Sequence, residues 1–319
     1  MSQASNFKIS DQLNKEWAYS RRGCEISVRP RQIISPETKI FAMGSCFAVE
    51  IRNRLRALGY QVFPSYTDIE FDGATQSPGL LPKRDNINHY DTYVMRQEIE
   101  LALDDKCYSP GYFWSVPVSQ KFSKMGWHSL FQDPFRRQVF AATQETITDL
   151  STKIGACIRD GLAAADVLIF TLGLTECWRD RQSGMFVCMG PSDLDDPLLQ
   201  RMEFHASTFA ENYSNLVAIV DKISTVFPNK TVVISVSPVS LGRTWTDEDI
   251  VVANMTSKST LRAVVAEVCR QKPGVIYWPS YEFAAREDVF KEDGRHVRLD
   301  AVDRIVDSFL QALNARTDQ

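Results

Sequence analysis

The chain has 319 residues, of which 44% are hydrophobic and 24% charged, with a formal net charge of -4 and a pI near 5.7. These proportions are typical of a globular protein that buries a full core, and they exclude extensive disorder. The acidic balance offers no general attraction for nucleic acid, no segment is long and apolar enough to span a membrane, and residues 1–10 lack the features of a secretion signal. We therefore expect a cytoplasmic protein without nucleic-acid partners.

The first elements have the order strand, helix, strand. Residues 39–42 form an apolar strand that runs into a glycine turn, residues 49–58 show helical spacing of apolar side chains, and residues 60–63 form a second short strand. Residues 65–137 then break this rhythm with turns, one helical pattern at 92–103 and several aromatic residues. We interpret this segment as an insertion, whose aromatic side chains suit either stacking on sugar rings or a small core of their own.

The rest of the chain alternates between helices and apolar strands. The spacing predicts helices at residues 143–165, 207–226, 256–271 and 299–315, and strands at residues 167–170, 231–236 and 275–278. Strands that are apolar on both sides and alternate with helices indicate a parallel sheet covered on both faces. The predicted fold is a three-layer α/β/α sandwich with a central parallel sheet of about five strands. We expect one domain over residues 1–319, with its core at about 39–310 and its insertion at about 65–137.

Four loops follow the carboxyl ends of the predicted strands. They comprise residues 44–48, 171–178, 237–242 and 279–296, and each contains polar side chains. Ligands of parallel α/β sheets bind beyond the carboxyl ends of the strands. We expect the functional site at this edge.

The first of these loops contains adjacent hydroxyl and thiol side chains, Ser45 and Cys46, directly after Gly44. The free N–H groups of a helix N-terminus lower the pKa of a thiol, so Cys46 is a candidate nucleophile. In the alternative interpretation Ser45 caps the helix and Cys46 packs beneath it.

Near the end of the chain, Asp293 and His296 lie three residues apart. A carboxylate that orients an imidazole supplies the base that a weak hydroxyl or thiol nucleophile needs, although such a pair can also be a simple surface contact. The sequence has no phosphate-binding glycine loop and no metal-ligand spacing, so we expect no cofactor and no metal.

Several motifs along the chain carry a family resemblance. They are Gly44-Ser45-Cys46-Phe47-Ala48, Trp127-His128-Ser129, Thr171-Leu172-Gly173-Leu174-Thr175-Glu176, Val236-Ser237-Pro238-Val239, Asn254 with Ser257-Lys258, and Tyr277-Trp278-Pro279-Ser280-Tyr281-Glu282. The first motif matches the signature of the GSCFA family, which resembles a branch of the SGNH (GDSL-type) hydrolases with a flavodoxin-like fold. The resemblance extends over about residues 39–310.

This resemblance implies roles for particular residues. It places Cys46 at the nucleophile position, with Ser45 as its rival, and matches Asp293 and His296 to the closing acid and base. It puts Thr175 where an oxyanion-binding Asn stands in the wider superfamily, which leaves Asn254, Trp127 and His128 as alternative donors. The implied substrate-binding residues are Gly44, Gly173, Thr175, Glu176, Trp127, His128, Asn254 and Lys258.

The resemblance also implies a reaction. We expect an ester hydrolase or acyltransferase that acts on a small ester, such as an acylated carbohydrate, with an acyl donor as a possible partner. The alternative is a non-catalytic carbohydrate-binding or accessory module on the same fold.

Overall fold

The computed structural model describes residues 7–9, 26–70, 72–76, 87–104, 106, 108–137, 139–188, 190, 196–285 and 289–314. The strands are β1 Phe7–Ile9, β2 Ile26–Val28, β3 Ile40–Gly44, β4 Val62–Phe63, β5 Trp114–Ser115, β6 Phe131–Gln132, β7 Phe140–Ala141, β8 Val167–Leu172, β9 Glu176–Asp180, β10 Phe186–Val187, β11 Met202–Ala206, β12 Thr231–Val236 and β13 Val275–Trp278. The α-helices are α1 Cys46–Ala57, α2 Thr92–Leu103, α3 Gln120–Lys124, α4 Gln144–Ala164, α5 Asp196–Leu199, α6 Phe209–Val226, α7 Ile250–Gln271, α8 Ser280–Ala284 and α9 Leu299–Asn314.

The central sheet has five strands in the order β13-β12-β8-β3-β4, and all its pairs are parallel. Numbered along the chain, these strands follow the flavodoxin-like order 2-1-3-4-5. The strand order reverses between β3 and β8, and ligands of such sheets bind at this reversal point. The prediction of a parallel sheet of about five strands is confirmed.

Both faces of this sheet are covered by helices. In β3, Ile40 and Ala42 belong to the apolar cluster that contains α1 and α9, whereas Phe41 and Met43 belong to the cluster that contains α2, α4, α6 and α7. This alternation follows from the two-residue period of a strand. The three-layer α/β/α arrangement is therefore confirmed.

Two features of the second half of the chain differ from the expectations. Residues 176–206 contain a three-stranded antiparallel sheet in the order β10-β9-β11, whose strand β9 begins inside the loop that we expected at residues 171–178. Helix α7 begins at Ile250, six residues before the predicted start, with Asp249 as its cap. The first turn of α7 lacks the usual helical spacing of buried apolar residues, because Val251 and Val252 are apolar but 67% and 49% exposed. The pattern in the sequence therefore predicted a later start.

The described residues of the segment 65–137 include helix α2, which packs onto one face of the sheet. Helix α2 contacts α4 and α6, and Phe113 and Trp114 are buried in the cluster on that face. Trp127 instead belongs to a small separate cluster with Phe122 and Leu130. These aromatic side chains are therefore buried in hydrophobic clusters and are not exposed for stacking on sugar rings.

No helix in the described part of the chain combines the length and the apolarity needed to cross a membrane.

Candidate active site

A cavity of about 310 Å³ opens at the carboxyl edge of the central sheet, beside the reversal between β3 and β8. All four loops predicted to converge there contribute to its lining. The contributions include Ser45 and Cys46, Gly173, Ser240, and Arg295 with His296. The site is therefore built from segments that are up to about 250 residues apart in the sequence.

Gly44 brings the first loop very close to the end of β8. Its φ of 139° is rare for other residues, and a Cβ atom there would lie 2.2 Å from the Thr171 carbonyl oxygen. The next residue, Ser45, donates its backbone N–H to that same oxygen at 3.0 Å. Gly44 thus permits the turn that places the following residues at the reversal point.

Ser45 is the N-cap of helix α1. Its hydroxyl oxygen accepts the Phe47 N–H at 3.3 Å, lies 3.2 Å from the Thr171 hydroxyl, and belongs to a side chain that is only 2% exposed. A hydroxyl held in this way satisfies a free N–H of the helix terminus. These contacts give Ser45 a structural role at the helix start.

Cys46 is the first residue of helix α1 and has a half-buried free thiol. Burial raises the pKa of this thiol, and the positive charges of Arg295 and Lys258 act in the opposite direction. The Cys46 N–H donates to no oxygen among the described residues, and its contact with the residue's own sulfur also acts against the effect of burial on the pKa of the thiol. Cys46 is one of the residues that line the cavity.

Asp293 and His296 form a direct pair in the loop before α9. The Asp293 Oδ2 lies 2.5 Å from His296 Nδ1, and its Oδ1 accepts the backbone N–H groups of Arg295 and His296, both at 2.9 Å. Hydrogen bonds from the His296 side chain and from these two N–H groups hold the pKa of Asp293 well below its usual range. An ionised carboxylate only accepts hydrogen bonds, so Nδ1 carries a proton, and in the neutral imidazole the lone pair is then on Nε2.

The backbone holds this pair as one compact turn. Phe290 and Val297 form a β-bridge, Lys291 N–H donates to the His296 carbonyl at 2.8 Å, and Gly294 has a φ of 67°. The Arg295 Nε–H donates to the Ser240 carbonyl at 3.2 Å, which ties the turn to the loop after β12. His296 is therefore held against the loops that line the cavity.

The loop after β8 approaches the segment before α2. The N–H groups of Gly173 and Leu174 both donate to the Tyr90 carbonyl at 3.0 Å, so they are not free for an oxyanion. A Cβ atom on Gly173 would lie 2.7 Å from that oxygen. Gly173 therefore allows close contact between two loops, whereas the family resemblance implied that it binds substrate.

Thr175 lies behind the cavity wall. It is 7% exposed, its N–H donates to the Ser257 hydroxyl at 2.9 Å, and its carbonyl accepts from the Ser207 N–H at 2.8 Å. It does not line the cavity. The oxyanion donor suggested for this position by the family resemblance is therefore not presented to the cavity in this structure.

Three side chains of helix α7 hold the cavity loops from behind. Asn254 Oδ1 accepts the Leu241 N–H at 3.1 Å, and Ser257 holds Thr175. Lys258, which is 1% exposed, donates to the carbonyls of Gly173 and Val239 at 2.6 and 2.8 Å. Burial lowers the pKa of Lys258 to about 7, against an opposing effect of Cys46. Asn254 and Lys258 thus position the loops and do not line the cavity.

A second pocket of about 170 Å³ adjoins the first and shares Tyr90 and Arg137 with it. Its wall contains Trp178 and Trp245, whose rings meet edge to face at 5.4 Å, and Trp245 is 39% exposed. Glu176 fixes the Trp245 loop.

The carboxylate of Glu176 accepts hydrogen bonds from the backbone N–H of Trp245 at 2.8 Å and from the Thr244 hydroxyl at 2.7 Å. Both carboxylate oxygens are therefore engaged within the protein.

Trp127 and His128 lie away from both pockets. The Trp127 indole donates to the Ala74 carbonyl at 2.8 Å and stacks on Phe122, and His128 is exposed. The insertion instead contributes Tyr90 and Arg137 to the site, and sequence reasoning did not select Tyr90.

The neighbour of Arg137, Arg136, is buried in a charged cluster. It makes two hydrogen bonds with Glu98, which also lies 3.1 Å from the His89 ring. The backbone N–H of His89 donates to the Gly44 carbonyl at 2.8 Å. This cluster therefore fixes the segment that bears Tyr90 against the first loop of the site.

No group of His, Cys, Asp and Glu side chains in the described ranges is arranged to hold a metal ion.

Comparison with known proteins gives one family. The model of the GSCFA family matches residues 39–309. This range includes the central sheet and the four candidate catalytic residues, which are Ser45, Cys46, Asp293 and His296. No curated protein matches the sequence.

Comparison with solved structures finds matches of low sequence identity. A family 3 carbohydrate esterase of Clostridium thermocellum is 13% identical with a TM-score of 0.34, over 86% of this chain and 94% of that chain. A carbohydrate esterase family 3 protein from Talaromyces cellulolyticus is 10% identical with a TM-score of 0.35, over 85% and 94% of the two chains. A mutant acetyl esterase with an acetate ion is 11% identical with a TM-score of 0.35, over 85% and 93%.

Proposed function

The chain belongs to the GSCFA family, and on that premise we propose that it is an acyl-transfer enzyme that cleaves a small ester through a cysteine nucleophile. The observation that carries this proposal is geometric. Cys46 at a helix N-terminus and His296, held by Asp293, line the same cavity.

In the first half-reaction, His296 Nε2 accepts the proton of the Cys46 thiol, and the sulfur attacks the ester carbonyl carbon. A carbon–sulfur bond forms while the carbonyl oxygen becomes negative beside the Cys46 N–H. Collapse of this intermediate breaks the carbon–oxygen bond of the ester. The leaving alkoxide takes the proton from His296 and departs as an alcohol, which leaves a thioester on Cys46.

In the second half-reaction, His296 accepts a proton from water or from an acceptor alcohol, whose oxygen attacks the thioester carbonyl. The carbon–sulfur bond then breaks and the thiol regains its proton. Water gives hydrolysis, and an acceptor alcohol gives acyl transfer. A cavity that excludes water favours transfer.

The electrostatics of the site explain why a base is needed. Burial raises the pKa of Cys46, so the thiol is protonated at neutral pH unless a neighbouring base takes its proton. Asp293 keeps Nδ1 protonated and stabilises the imidazolium that forms on His296. We assign the nucleophile to Cys46 because the Ser45 hydroxyl is engaged in the helix cap.

The second pocket supports a carbohydrate as the alcohol part of the ester. Aromatic side chains combine a large apolar face with a polar edge, and Trp245 is partly exposed beside Trp178 at the wall of this pocket. We propose that the acyl group occupies the first cavity while a sugar ring packs on Trp245.

One observation favours the alternative of a non-catalytic carbohydrate-binding module. The Gly173 and Leu174 N–H groups donate to the Tyr90 carbonyl, so they are not available to an oxyanion. Among the described residues around Cys46, this leaves the Cys46 N–H as the candidate oxyanion donor. Removing one oxyanion donor costs an enzyme about 3 kcal/mol of transition-state stabilisation. Turnover measurements distinguish the two functions.

The test is hydrolysis of p-nitrophenyl acetate and of acetylated monosaccharides by the purified protein and four variants. We expect Cys46→Ala and His296→Ala to lose at least about 10²-fold in kcat/KM. Ser45→Ala should retain turnover and lose about 1 kcal/mol of stability through its helix cap. Cys269→Ala is the matched control, because Cys269 is a half-buried thiol of helix α7 that does not line the cavity.

Full turnover by Cys46→Ala would rule out the cysteine mechanism. Absence of turnover by the unmodified protein on every ester, together with measurable binding of the sugars, would support the non-catalytic module instead.

A further inference from the structure

Arg295 brings a positive charge to the first cavity, whereas no Asp or Glu is among the described lining residues. The nearby Asp293 is committed to His296 and to two backbone N–H groups, and Glu50 acts on Cys46 without lining the cavity. A substrate that enters this cavity therefore meets the charge of Arg295.

Arg295 is fixed in its position by two contacts. Its Nε–H donates to the Ser240 carbonyl, and its guanidinium lies face-on against Gly242. A Cβ atom on Gly242 would be 2.9 Å from Cζ and 3.0 and 3.1 Å from the two terminal nitrogens, so only glycine allows this approach without displacement. The guanidinium is held before any ligand arrives.

The two terminal nitrogens of Arg295 have no partner within the described structure. No carboxylate there forms an ion pair with Arg295, and its only side-chain hydrogen bond in the same residues is the one from Nε. A half-buried guanidinium with a fixed plane and two free donor nitrogens matches the two oxygens of a carboxylate or phosphate. Lysine would supply the charge without this geometry.

We propose that Arg295 binds a negatively charged group of the substrate, a carboxylate or a phosphate, beside the reacting carbonyl. This inference rests on the proposed function and defines its substrate class as anionic esters. It also gives Gly242 a role, because a side chain there would displace the guanidinium.

Alkylation of Cys46 tests the charge preference without any turnover. Iodoacetate and iodoacetamide differ in charge, and with both the sulfur forms a bond to the CH₂ carbon while the carbon–iodine bond breaks and iodide leaves. The measured quantity is the ratio of the iodoacetate rate to the iodoacetamide rate at Cys46, compared with the same ratio for N-acetylcysteinamide. A change in the Cys46 pKa alters both rates equally and cancels in the ratio.

We expect the ratio for the protein to exceed that of the free thiol by about tenfold, and Arg295→Met to lower it by about five- to tenfold. The matched control is Arg243→Met, which removes an arginine of the second pocket and should change the ratio less than about twofold. An unchanged ratio in Arg295→Met, or an equal fall in both variants, would overturn the proposal.

A salt titration of the unmodified protein tests the same charge preference without any substitution that could alter the cavity. Because part of Arg295 is exposed to solvent, 0.5 M NaCl should screen its charge and lower the ratio towards that of the free thiol. A ratio equal to that of the free thiol at low salt would contradict an anion site.

The closing experiment compares two esters of similar size, mono-p-nitrophenyl succinate and p-nitrophenyl butyrate. We expect the protein to prefer the anionic ester by about tenfold in kcat/KM, and Arg295→Lys to keep part of this preference while Arg295→Met loses it. In parallel, acetate and inorganic phosphate are tested for protection of Cys46 against iodoacetamide, which shows which anion the site accepts.

The outcomes separate the two proposals. Preference for the neutral ester would refute the anion site alone, whereas no turnover of either ester with a high alkylation ratio would refute the enzyme and leave the anion site standing.

Discussion

Lys258 is the side chain whose removal should change stability in a pH-dependent way. Replacing it by Met keeps most of its apolar stem but leaves the carbonyls of Gly173 and Val239 without their donor. Each buried carbonyl that loses its partner costs about 1–3 kcal/mol. The same replacement removes an ionised group that is expensive to bury.

The cost of that ionised group follows from its pKa. Burial lowers the pKa of Lys258 from about 10.5 to about 7, which corresponds to about 5 kcal/mol between the two protonation states at about 1.4 kcal/mol for each pKa unit. Between these two values the unfolded chain binds the proton and the folded chain does not, so stability rises with pH in that window. Below about pH 7 the folded protein bears the full cost.

At pH 6 the loss of the two hydrogen bonds and the removal of the buried charge nearly cancel in Lys258→Met. The free energies of unfolding of the protein and of this variant should therefore differ by at most about 2 kcal/mol at that pH. From pH 6 to pH 9 the protein should gain about 3 kcal/mol relative to the variant, because the neutral amine still donates to both carbonyls.

Urea unfolding at four pH values, followed by tryptophan fluorescence, measures this difference. Both proteins are also measured with Cys46→Ala, because Cys46 acts against the effect of burial on the pKa of Lys258. The exposed Lys124→Met is the control and should give a pH-independent difference. Parallel stability curves for the protein and Lys258→Met would refute the buried, readily deprotonated lysine.

Three further predictions concern other parts of the site. Asp293→Asn should lower kcat by at least about 10²-fold with little effect on the exposed turn, because the amide cannot stabilise the His296 imidazolium, and single-turnover kinetics would check this. Gly173→Ala should lose about 1–3 kcal/mol in urea unfolding because its Cβ meets the Tyr90 carbonyl, whereas Gly274→Ala, which faces open space, should not. Glu98→Gln should lose about 3–5 kcal/mol because it breaks the buried ion pair with Arg136 and leaves Asp133, at 3.7 Å, as the remaining counter-charge among the described residues. Equal stability of this variant and the more exposed Glu100→Gln would contradict the ion-pair assignment.

Local patterns in the sequence were sufficient for the main elements of the sheet. The apolar runs at β8, β12 and β13 predicted buried parallel strands, and the positions of their carboxyl ends predicted which loops would meet. The pairing of Asp293 with His296 was also visible, because the two residues lie three apart in one turn.

Other residues could not be assigned from local patterns. Asn254 and Lys258 were expected to bind substrate, but the structure places them behind the loops, where they hold backbone groups. Trp127 and His128 matched a family motif, yet Tyr90 and Arg137 are the insertion residues at the cavity. The antiparallel strands β9–β11 that precede α6 were missed because their alternation is short and interrupted by turns.

The difference has a physical reason. Hydrophobic periodicity, turn glycines and contacts within one turn depend on neighbours in the sequence. The strands of the central sheet, the long helices, the Gly44 turn and the Asp293–His296 pair were therefore determined by the sequence alone. The closeness of Gly173 to Tyr90, of Arg295 to Gly242, and of Lys258 to two carbonyls depends on how distant segments pack. Only the tertiary structure decided these contacts, and with them the charge and shape of the cavity in which Cys46 lies.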